Sequence, residues 1–301
     1  MPFSRSDVLP FFRHAVSVFL LTTLLQVGPG AVAHAETLIR TGGATTVLPV
    51  VSKAAPEFTR THPEVRITVS AGGSGVGIQG VSGGNLDIGM ASREMTGQEI
   101  QRFGDRPFEV HVIGRDAVAC VISSEVYDAG VKTLARDQIR KIYEGKIRNW
   151  KEVGGPDRPI VVIDKERHRG TRHVFMNYVF GNPKAIARGA RLVTGSNNEE
   201  QAKIAQSDAA IGMLSFAWIN EEVRGVGLNI EGRIVQPTSR NVANGTWPIA
   251  RNLNLLTASP ARPEIEQFIQ FLKGPEGQAI VEASHYLPIR REEGSRIAQG
   301  D

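Results

Sequence analysis

Three glycine- and hydroxyl-rich loops, each between a strand-like and a helix-like segment, constrain the fold of this chain most. They lie at residues 42–46, 72–77 and 170–171. Along the whole chain, helix-like stretches separate strand-like stretches at 38–40, 65–70, 86–90, 108–113, 117–122, 160–164, 208–214 and 253–257. Helices are expected after the loop at 72–77, at 136–143, at 172–180 and, as the terminal helix, at 264–273. Strands that alternate with helices favour a mostly parallel sheet covered by helices. The sequence therefore predicts an α/β protein.

Two of the strand-like segments, at 117–122 and near 247–256, are candidates for chain crossings between two lobes. No linker rich in proline and serine divides the chain, so two domains joined as beads on a string are not expected. Lobe one would then be discontinuous and consist of residues 36–116 and 251–301. Lobe two would consist of residues 117–250.

The N-terminus has the features of a secretory signal. Arg5 and Arg13 precede an apolar run at 15–27, and the segment ends in Ala33-His34-Ala35. A basic start, a short apolar stretch and an A-x-A end are typical of a cleavable signal peptide. The run is shorter than the roughly 20 residues that span a bilayer. We therefore expect residues 1–35 to be removed and the mature chain to begin at Glu36 in a bacterial periplasm.

The composition argues against several classes of function. The formal net charge is +4, and no run of Lys or Arg is longer than two, so no nucleic-acid partner is expected. Cys120 is the only cysteine, so no intrachain disulfide can form, and its apolar surroundings favour a buried, inert thiol. His168 and His173 are five residues apart, with no cluster of cysteines or carboxylates beside them. No metal site and no cofactor are therefore expected.

The three loops are suited to hold an anion. A helix N-terminus leaves its first N–H groups unpaired and carries a partial positive charge. Glycine lets those amides close around an anion, and Ser or Thr hydroxyls add further donors. Arg93 and Arg172 lie close to these loops in the sequence. The residues indicate a compact tetrahedral oxyanion rather than a large organic ligand.

Other glycine motifs fit less well. Residues 75–80 satisfy G-x-G-x-x-G, but a dinucleotide site also needs an acidic residue at the end of the next strand, and that strand ends at Ser92-Arg93. The chain has no Gly-Lys-Ser/Thr, and Val76 breaks the G-x-S-x-G pattern around Ser74. The sequence also has no recognisable nucleophile–base pair of the kind that a phosphate-handling hydrolase needs. No enzymatic activity and no catalytic residues are expected.

The motifs, taken in order, resemble those of the PstS-like phosphate-binding proteins of ABC phosphate importers. The likeness covers nearly all of the expected mature chain, at residues 42–46 (GGATT), 72–77 (GGSGVG), 87–93 (DIGMASR), 142–150 (IYEGKIRNW), 153–155 (VGG), 210–212 (AIG), 247–251 (WPIAR) and 274–278 (GPEGQ). It implies a periplasmic-binding-protein-like type II fold, with two α/β lobes joined by two crossing strands and a ligand cleft between them. It also implies a monomeric receptor that captures inorganic phosphate and delivers it to the membrane permease of an ABC importer.

The resemblance also implies a set of phosphate-binding residues. Carried over one by one, they are Ala44, Thr45, Ser74, Ser92, Arg93, Gly170 and Thr171. For Arg93 the alternative is a structural bridge beside the cleft. Ser92 occupies the position at which some family members have a carboxylate that accepts a proton from phosphate.

One loop departs from the family pattern. Where the family usually has R-x-x-G-S-G-T, this chain has Lys165, His168 and Arg169 in place of the Arg, the Gly and the Ser. We expect Arg169 to bind the anion directly, because its planar fork matches two oxygens of a phosphate. The alternatives are that Arg169 pairs with Glu166 or faces solvent, and that Lys165 serves instead. Sulfate, tungstate and arsenate remain alternative ligands, and an exported sensor or adhesion-type protein remains an alternative role.

Overall fold

The computed structural model describes residues 36–289, which form one nine-stranded sheet, a separate three-stranded sheet and the helices that pack on them. The predicted signal peptide, 1–35, lies outside the described residues. The strands are β1 Thr37–Gly43, β2 Val65–Ala71, β3 Ile88–Ala91, β4 Phe108–Ser123, β5 Thr133–Ala135, β6 Val161–Lys165, β7 Ala190–Thr194, β8 Ala210–Ser215, β9 Val223–Gly225, β10 Gly227–Ile230, β11 Arg233–Val235 and β12 Ala250–Ala258.

The α-helices alternate with these strands over most of the chain, as predicted. They are α1 Leu48–Thr61, α2 Ser74–Ser82, α3 Gly97–Phe103, α4 Ser124–Asp128, α5 Arg136–Tyr143, α6 Gly170–Phe180, α7 Asn197–Ala205, α8 Ser239–Ala243, α9 Pro263–Lys273 and α10 Pro275–Ala283. The sequence predicted one terminal helix, whereas the structure has both α9 and α10. No helix within residues 36–289 is long and apolar enough to cross a membrane.

The large sheet has parallel flanks and an antiparallel centre. Its strand order is β2-β1-β3-β12-β4-β8-β6-β7, with β9 paired to β4. Pairs β1/β2, β1/β3, β6/β7 and β6/β8 are parallel, and helices supply the crossovers that such pairs require. The pairs that β12 makes with β3 and β4, and that β4 makes with β8, are antiparallel. The expectation of a mostly parallel sheet is therefore wrong for the centre.

Strand β4 runs unbroken for 16 residues through a stretch that the sequence predicted as two strands, 108–113 and 117–122. Residues 114–116, between these two segments, are Gly, Arg and Asp. Instead, Asp116 is buried, and Arg251 lies opposite it in register on β12. The guanidinium and carboxylate groups bond at 2.7 and 2.9 Å, which satisfies both charges inside the sheet. A buried ion pair thus lets one strand continue where its sequence is polar.

The buried apolar side chains form two large clusters. One draws all its buried members from residues 117–249 and includes Trp150, Phe175 and Trp247. The other draws its buried members from 39–113 and 253–286 and includes Phe58 and Phe268. Strand β4 contributes Ile113 to the second cluster and residues 117–122 to the first, whereas β12 contributes Leu253 and Leu255 to the second only and follows directly after the last residue of the first. The core therefore has two parts, and the chain passes between them along β4 and at the start of β12.

Helix α2 begins at Ser74, earlier than the sequence predicted, so Gly75 and Gly77 lie inside the helix rather than in the loop before it. A β-carbon at Gly77 would lie 2.5 Å from the carbonyl oxygen of Met90 on β3 and 2.9 Å from that of Gly42 on β1. Only glycine permits this approach. The glycines therefore serve to seat the start of α2 directly on the sheet.

Candidate anion-binding site

A small cavity lies where the three predicted loops meet. Its volume is about 10 Å³, and its lining is Ala44, Thr45, Thr46, Gly73, Ser74, Ser92, Lys165, Arg169, Gly170, Thr171, Gly195 and Asn197. That is about the space of one water molecule and far below the roughly 300–1,000 Å³ of a pocket for a drug-sized ligand. A large organic ligand does not fit this cavity. All the predicted phosphate-binding residues except Arg93 line this cavity.

Strand ends and helix starts bring these residues together. Residues 44–46 join β1 to α1, and Ser74 is the first residue of α2. From the other part of the core, Gly170 is the first residue of α6, and Asn197 is the first of α7. Ligands in α/β proteins commonly bind beyond the carboxyl ends of the strands, where helix N-termini offer unpaired N–H groups and partial positive charge. The fold therefore directs several helix starts at one small space.

Hydroxyl groups supply much of the polar lining. Thr46, Ser74, Ser92 and Thr171 are all buried. The Ser92 amide donates to Ser74 Oγ at 3.0 Å, and the two serine Oγ atoms lie 3.4 Å apart. Since the Ser74 oxygen accepts from a fixed amide, its own proton is available to another acceptor. These hydroxyls can donate to a bound anion.

Arg169 lines the cavity and pairs with Glu166, which is one of the arrangements that the sequence left as alternatives to direct anion binding. Its Nε and Nη2 atoms donate to Glu166 Oε2 at 2.8 and 2.6 Å. The Arg169 side chain is 15% exposed and that of Glu166 is 43% exposed. The carboxylate thus holds the guanidinium in one orientation at the cavity. A fixed orientation lowers the entropy that an arginine would otherwise lose on binding a ligand.

Lys165 is a second cation in the lining and is almost completely buried. Its ammonium contacts the Glu200 carboxylate and donates to the Ser196 carbonyl oxygen at 3.2 Å. Burial lowers the pKa of Lys165 and raises that of Glu200, and the attraction between the two groups opposes both changes. Glu200 also accepts from the Met213 amide at 2.6 Å. Each cation that lines the cavity is therefore already matched by its own carboxylate.

Arg93 does not belong to the cavity. Its guanidinium makes two 2.7 Å hydrogen bonds to the Glu99 carboxylate, and both side chains are buried. Burial alone would raise the pKa of Glu99, but hydrogen bonds from Arg93 and Thr96 outweigh it and lower the pKa to about 2. The structural role that the sequence left as an alternative is the one that the structure shows. This placement removes Arg93 from the candidate site.

Sequence reasoning missed four residues of the lining: Thr46, Gly73, Gly195 and Asn197. Thr46 and Gly73 stand inside motifs that were singled out, so those motifs were the available signal. Asn197 gave none, because it follows the helix cap Ser196 and reads as an ordinary first-turn residue. In the structure Asn197 Nδ2 donates to Thr46 Oγ1 at 3.1 Å. This bond joins loops that are 151 residues apart in sequence.

The loops on the two sides of the cavity also touch through the backbone. The Gly75 amide donates to the His168 carbonyl oxygen at 3.1 Å, and His168 Nε2 lies 3.0 Å from the Gly72 carbonyl oxygen. A β-carbon at Gly73, whose φ is +91°, would lie 2.8 Å from Arg169 Cδ. The cavity is therefore closed by direct contact between its two sides.

The chemistry of the lining is that of an anion site. Its hydroxyls, amides, Lys165 and Arg169 are hydrogen-bond donors, and no carboxylate belongs to the lining within residues 36–289. In the same part of the chain, no three His, Cys, Asp or Glu side chains are placed to hold a metal ion. The arrangement can bind a small anion through several donors at once.

Comparison with known proteins agrees with this geometry. Residues 30–276 match the family model of the PBP superfamily domain. The chain is 32% identical over 259 residues to the phosphate-binding protein PstS of Bacillus subtilis (strain 168), an alignment that covers 86% of this chain and 83% of that protein.

Two solved structures share the fold over most of the chain. A Clostridium perfringens substrate-binding protein, assigned to a phosphate ABC transporter and containing bound phosphate, is 30% identical with a TM-score of 0.76, covering 84% of this chain and 100% of that one. An ABC-type phosphate transport receptor from Vibrio cholerae is 28% identical with a TM-score of 0.68, covering 83% of this chain and 100% of that one. The predicted periplasmic-binding-protein-like fold is thus confirmed. The chain belongs to the PBP superfamily and, within it, to the PstS-like phosphate-binding proteins.

Proposed function

We propose that this protein is an exported solute-binding protein that captures inorganic phosphate and delivers it to an ABC importer. The cavity carries the proposal, because hydrogen-bond donors from both parts of the core converge on one small space. The relatives add support, since the Bacillus subtilis protein is named for phosphate binding and the Clostridium perfringens structure contains phosphate. The protein acts as a receptor without turnover.

The proposed phosphate ligands come from both sides of the cavity. They are the predicted residues Ala44, Thr45, Ser74, Ser92, Arg169, Gly170 and Thr171, together with Thr46, Lys165 and Asn197. Because Glu166 and Glu200 already match the two cations, hydrogen-bond donors rather than surplus charge hold the anion. Charge-assisted hydrogen bonds of this kind are about twice as strong as neutral ones.

We also propose that residues 36–116 and 251–301 form lobe one and residues 117–250 form lobe two. The division follows the two apolar clusters, between which the chain passes along β4 and at the start of β12. Lobes joined by a few crossing segments commonly close around a ligand by a hinge motion. Small-angle scattering of the purified protein, with and without phosphate, tests this. The radius of gyration should fall at saturating phosphate, and identical profiles would contradict hinge closure.

Titration calorimetry tests the ligand. Purified protein is titrated with phosphate, arsenate and sulfate at one ionic strength, after dialysis to remove any anion that copurifies. We expect one phosphate per chain and a weaker response to at least one of the other anions. Folded protein that takes up no phosphate would contradict the proposed function. An assay with a generic phosphate ester should give no turnover above buffer.

Three further parts of the proposal concern the setting of the protein. We propose that residues 1–35 are removed on export, so that periplasmic material begins at Glu36, and mass spectrometry of that material checks the mass. We propose a monomer, which light scattering measures directly. We propose the permease of an ABC phosphate importer as the partner, and phosphate uptake by cells that lack this chain but retain the permease tests that link.

A further inference from the structure

The side chain of Arg251 lies outside the cavity lining and donates hydrogen bonds to three hydroxyl groups of that lining. Its Nη1 atom donates to Thr171 Oγ1 at 3.1 Å and to Ser92 Oγ at 3.3 Å. Its Nη2 atom donates to Thr46 Oγ1 at 3.2 Å. Thr46, Ser92 and Thr171 all line the cavity, whereas Arg251 does not. One buried guanidinium thus contacts hydroxyls from both proposed lobes.

The direction of these hydrogen bonds decides what the hydroxyls can do. A guanidinium has only N–H donors and no acceptor, so each hydroxyl oxygen that bonds to Arg251 must accept. A hydroxyl whose oxygen accepts still has its own proton to donate. For Thr46 the constraint is stronger, because Asn197 Nδ2 donates to the same oxygen at 3.1 Å. Arg251 and Asn197 thus occupy the lone pairs of Thr46 Oγ1, and the hydroxyl proton of Thr46 is left for the cavity.

We propose that Arg251 is a positioning residue that makes Thr46, Ser92 and Thr171 act as donors to the bound anion. It does not touch the anion itself. The inference rests on the proposed anion-binding function of the cavity. Arg251 lies outside the lining, and it determines that the hydroxyls of the lining donate hydrogen bonds rather than accept them.

Asp116 makes this role possible. Its carboxylate accepts hydrogen bonds from Nε and Nη2 of Arg251 at 2.9 and 2.7 Å, and another from Ser215 Oγ at 2.9 Å. The two side chains are 1% and 3% exposed. The plane of the guanidinium is therefore fixed, and its remaining N–H groups donate to the hydroxyls. Because the pair is neutral as a whole, its effect on the anion should come from orientation rather than from net charge.

A double-mutant cycle in calorimetry tests the proposal, with phosphate as the probe. Thr171→Val alone removes one hydroxyl donor and should weaken phosphate binding about tenfold to a hundredfold. Arg251→Lys keeps the charge but loses the planar fork, and it should weaken binding to a similar extent. If Arg251 acts through Thr171, Thr171→Val should cost much less in the Arg251→Lys background. Equal fold-losses in both backgrounds would overturn the proposal.

A second variant guards against a charge effect or a folding failure. Arg251→Gln combined with Asp116→Asn removes both charges and leaves the net charge unchanged, so no buried charge remains unpaired. It too should weaken phosphate binding, and wild-type affinity in this folded variant would overturn the proposal.

Arg172→Lys is the matched control, because Arg172 forms a buried fork with Asp164 at 2.9 and 3.1 Å but contacts no hydroxyl of the lining. It should keep wild-type affinity. A loss equal to that of Arg251→Lys would make the effect generic and would overturn the inference.

These outcomes are distinguishable from failure of the proposed function. If wild-type protein binds no phosphate, the function fails before any variant is made. If wild-type protein binds phosphate and the cycle is additive, the function stands and the role of Arg251 fails.

Discussion

Gly170 lies so close to Ser74 that a β-carbon at position 170 would be 2.3 Å from Ser74 Oγ. It would also be 2.5 Å from Ser92 Oγ. The two serines belong to proposed lobe one and Gly170 to proposed lobe two. The two sides of the cavity are therefore in close contact at Gly170. The glycine is required by the opposing side of the cavity and not by its own backbone.

Gly170→Ala should therefore weaken phosphate binding by more than about tenfold while leaving the fold stable. Gly170 starts α6, and alanine at a compatible position stabilises a protein by about 0.4–1 kcal/mol. Calorimetry and urea unfolding measure the two effects separately. Gly97→Ala is the control, because Gly97 also starts a helix and a β-carbon there meets nothing within 4 Å. Unchanged affinity in Gly170→Ala would contradict the closed arrangement of the loops.

Ser74→Ala should reduce both affinity and stability. Loss of one hydrogen bond to an anion costs roughly 1.5–3 kcal/mol, or about tenfold to more than a hundredfold in affinity. The variant also leaves the buried Ser92 amide without its acceptor, which costs about 1–3 kcal/mol of unfolding free energy.

Ser82→Ala is the matched control for this change, since Ser82 is buried at the other end of α2 and donates to the Gln79 carbonyl oxygen. It should keep its phosphate affinity in calorimetry. If Ser74→Ala binds phosphate as the wild type does, Ser74 is not a ligand.

Arg169→Lys should lower phosphate affinity about tenfold or more, because an ammonium cannot reproduce the fork that Glu166 orients. Arg169→Ser should lower it too, although serine is the usual family residue at this position. Dissociation constants are measured at fixed salt. Arg167→Lys, a change on an exposed neighbour in the same loop, should have no effect. Wild-type affinity in Arg169→Ser would show that Arg169 is not a ligand.

The Glu99 carboxylate should make stability depend on acid pH. Its pKa is about 2 in the folded protein against an ordinary value of 4.5, which corresponds to roughly 3 kcal/mol of stabilisation. Because the folded pKa is lowered, this stabilisation is present above about pH 4.5 and is lost as the pH falls towards 2. Urea unfolding at a series of pH values measures it.

Glu99→Gln should be less stable than the wild type at pH 7, and the difference should shrink in acid. A difference that stays constant from pH 5 to pH 3 would contradict this assignment. His173 acts in a higher pH range, because burial and the nearby Arg93 charge lower its pKa to about 4. The unfolded chain therefore takes up that proton first as the pH falls below about 6.5, and His173→Gln removes this separate contribution.

The loops of the site were predictable because their signals are local. Glycine beside Ser or Thr, between an apolar strand and a helix, marks 42–46, 72–77 and 170–171 without reference to the rest of the chain. Helix α5, Arg136–Tyr143, was predicted with its observed bounds for the same reason. Helix α6 starts two residues earlier than predicted, so Gly170 and Thr171 belong to the helix start itself.

The buried ion pairs were not predictable from the sequence. Asp116 and Arg251 are 135 residues apart, and Lys165 and Glu200 lie on separate elements. Each charged residue alone indicates an exposed position, and only its distant partner makes burial possible. The same limit hid the single strand β4 and the position of Arg93, whose partner Glu99 lies inside a capping motif. Long-range pairing of charges, rather than local propensity, determines these features.

Strand β12 lies between β3 and β4 in the sheet, although among the strands within residues 36–289 it is the last to be synthesised. The residues of the cluster at 117–249 are contiguous, so they can condense while the ribosome is still making the remainder. The other cluster cannot form completely until the C-terminal segment that contributes to it has been synthesised. A chain cut before Ala250 would leave β3 and β4 with unpaired edges on either side of the gap, and such edges pair readily with other chains. We therefore expect a chain that ends before Ala250 to aggregate more readily than the full chain.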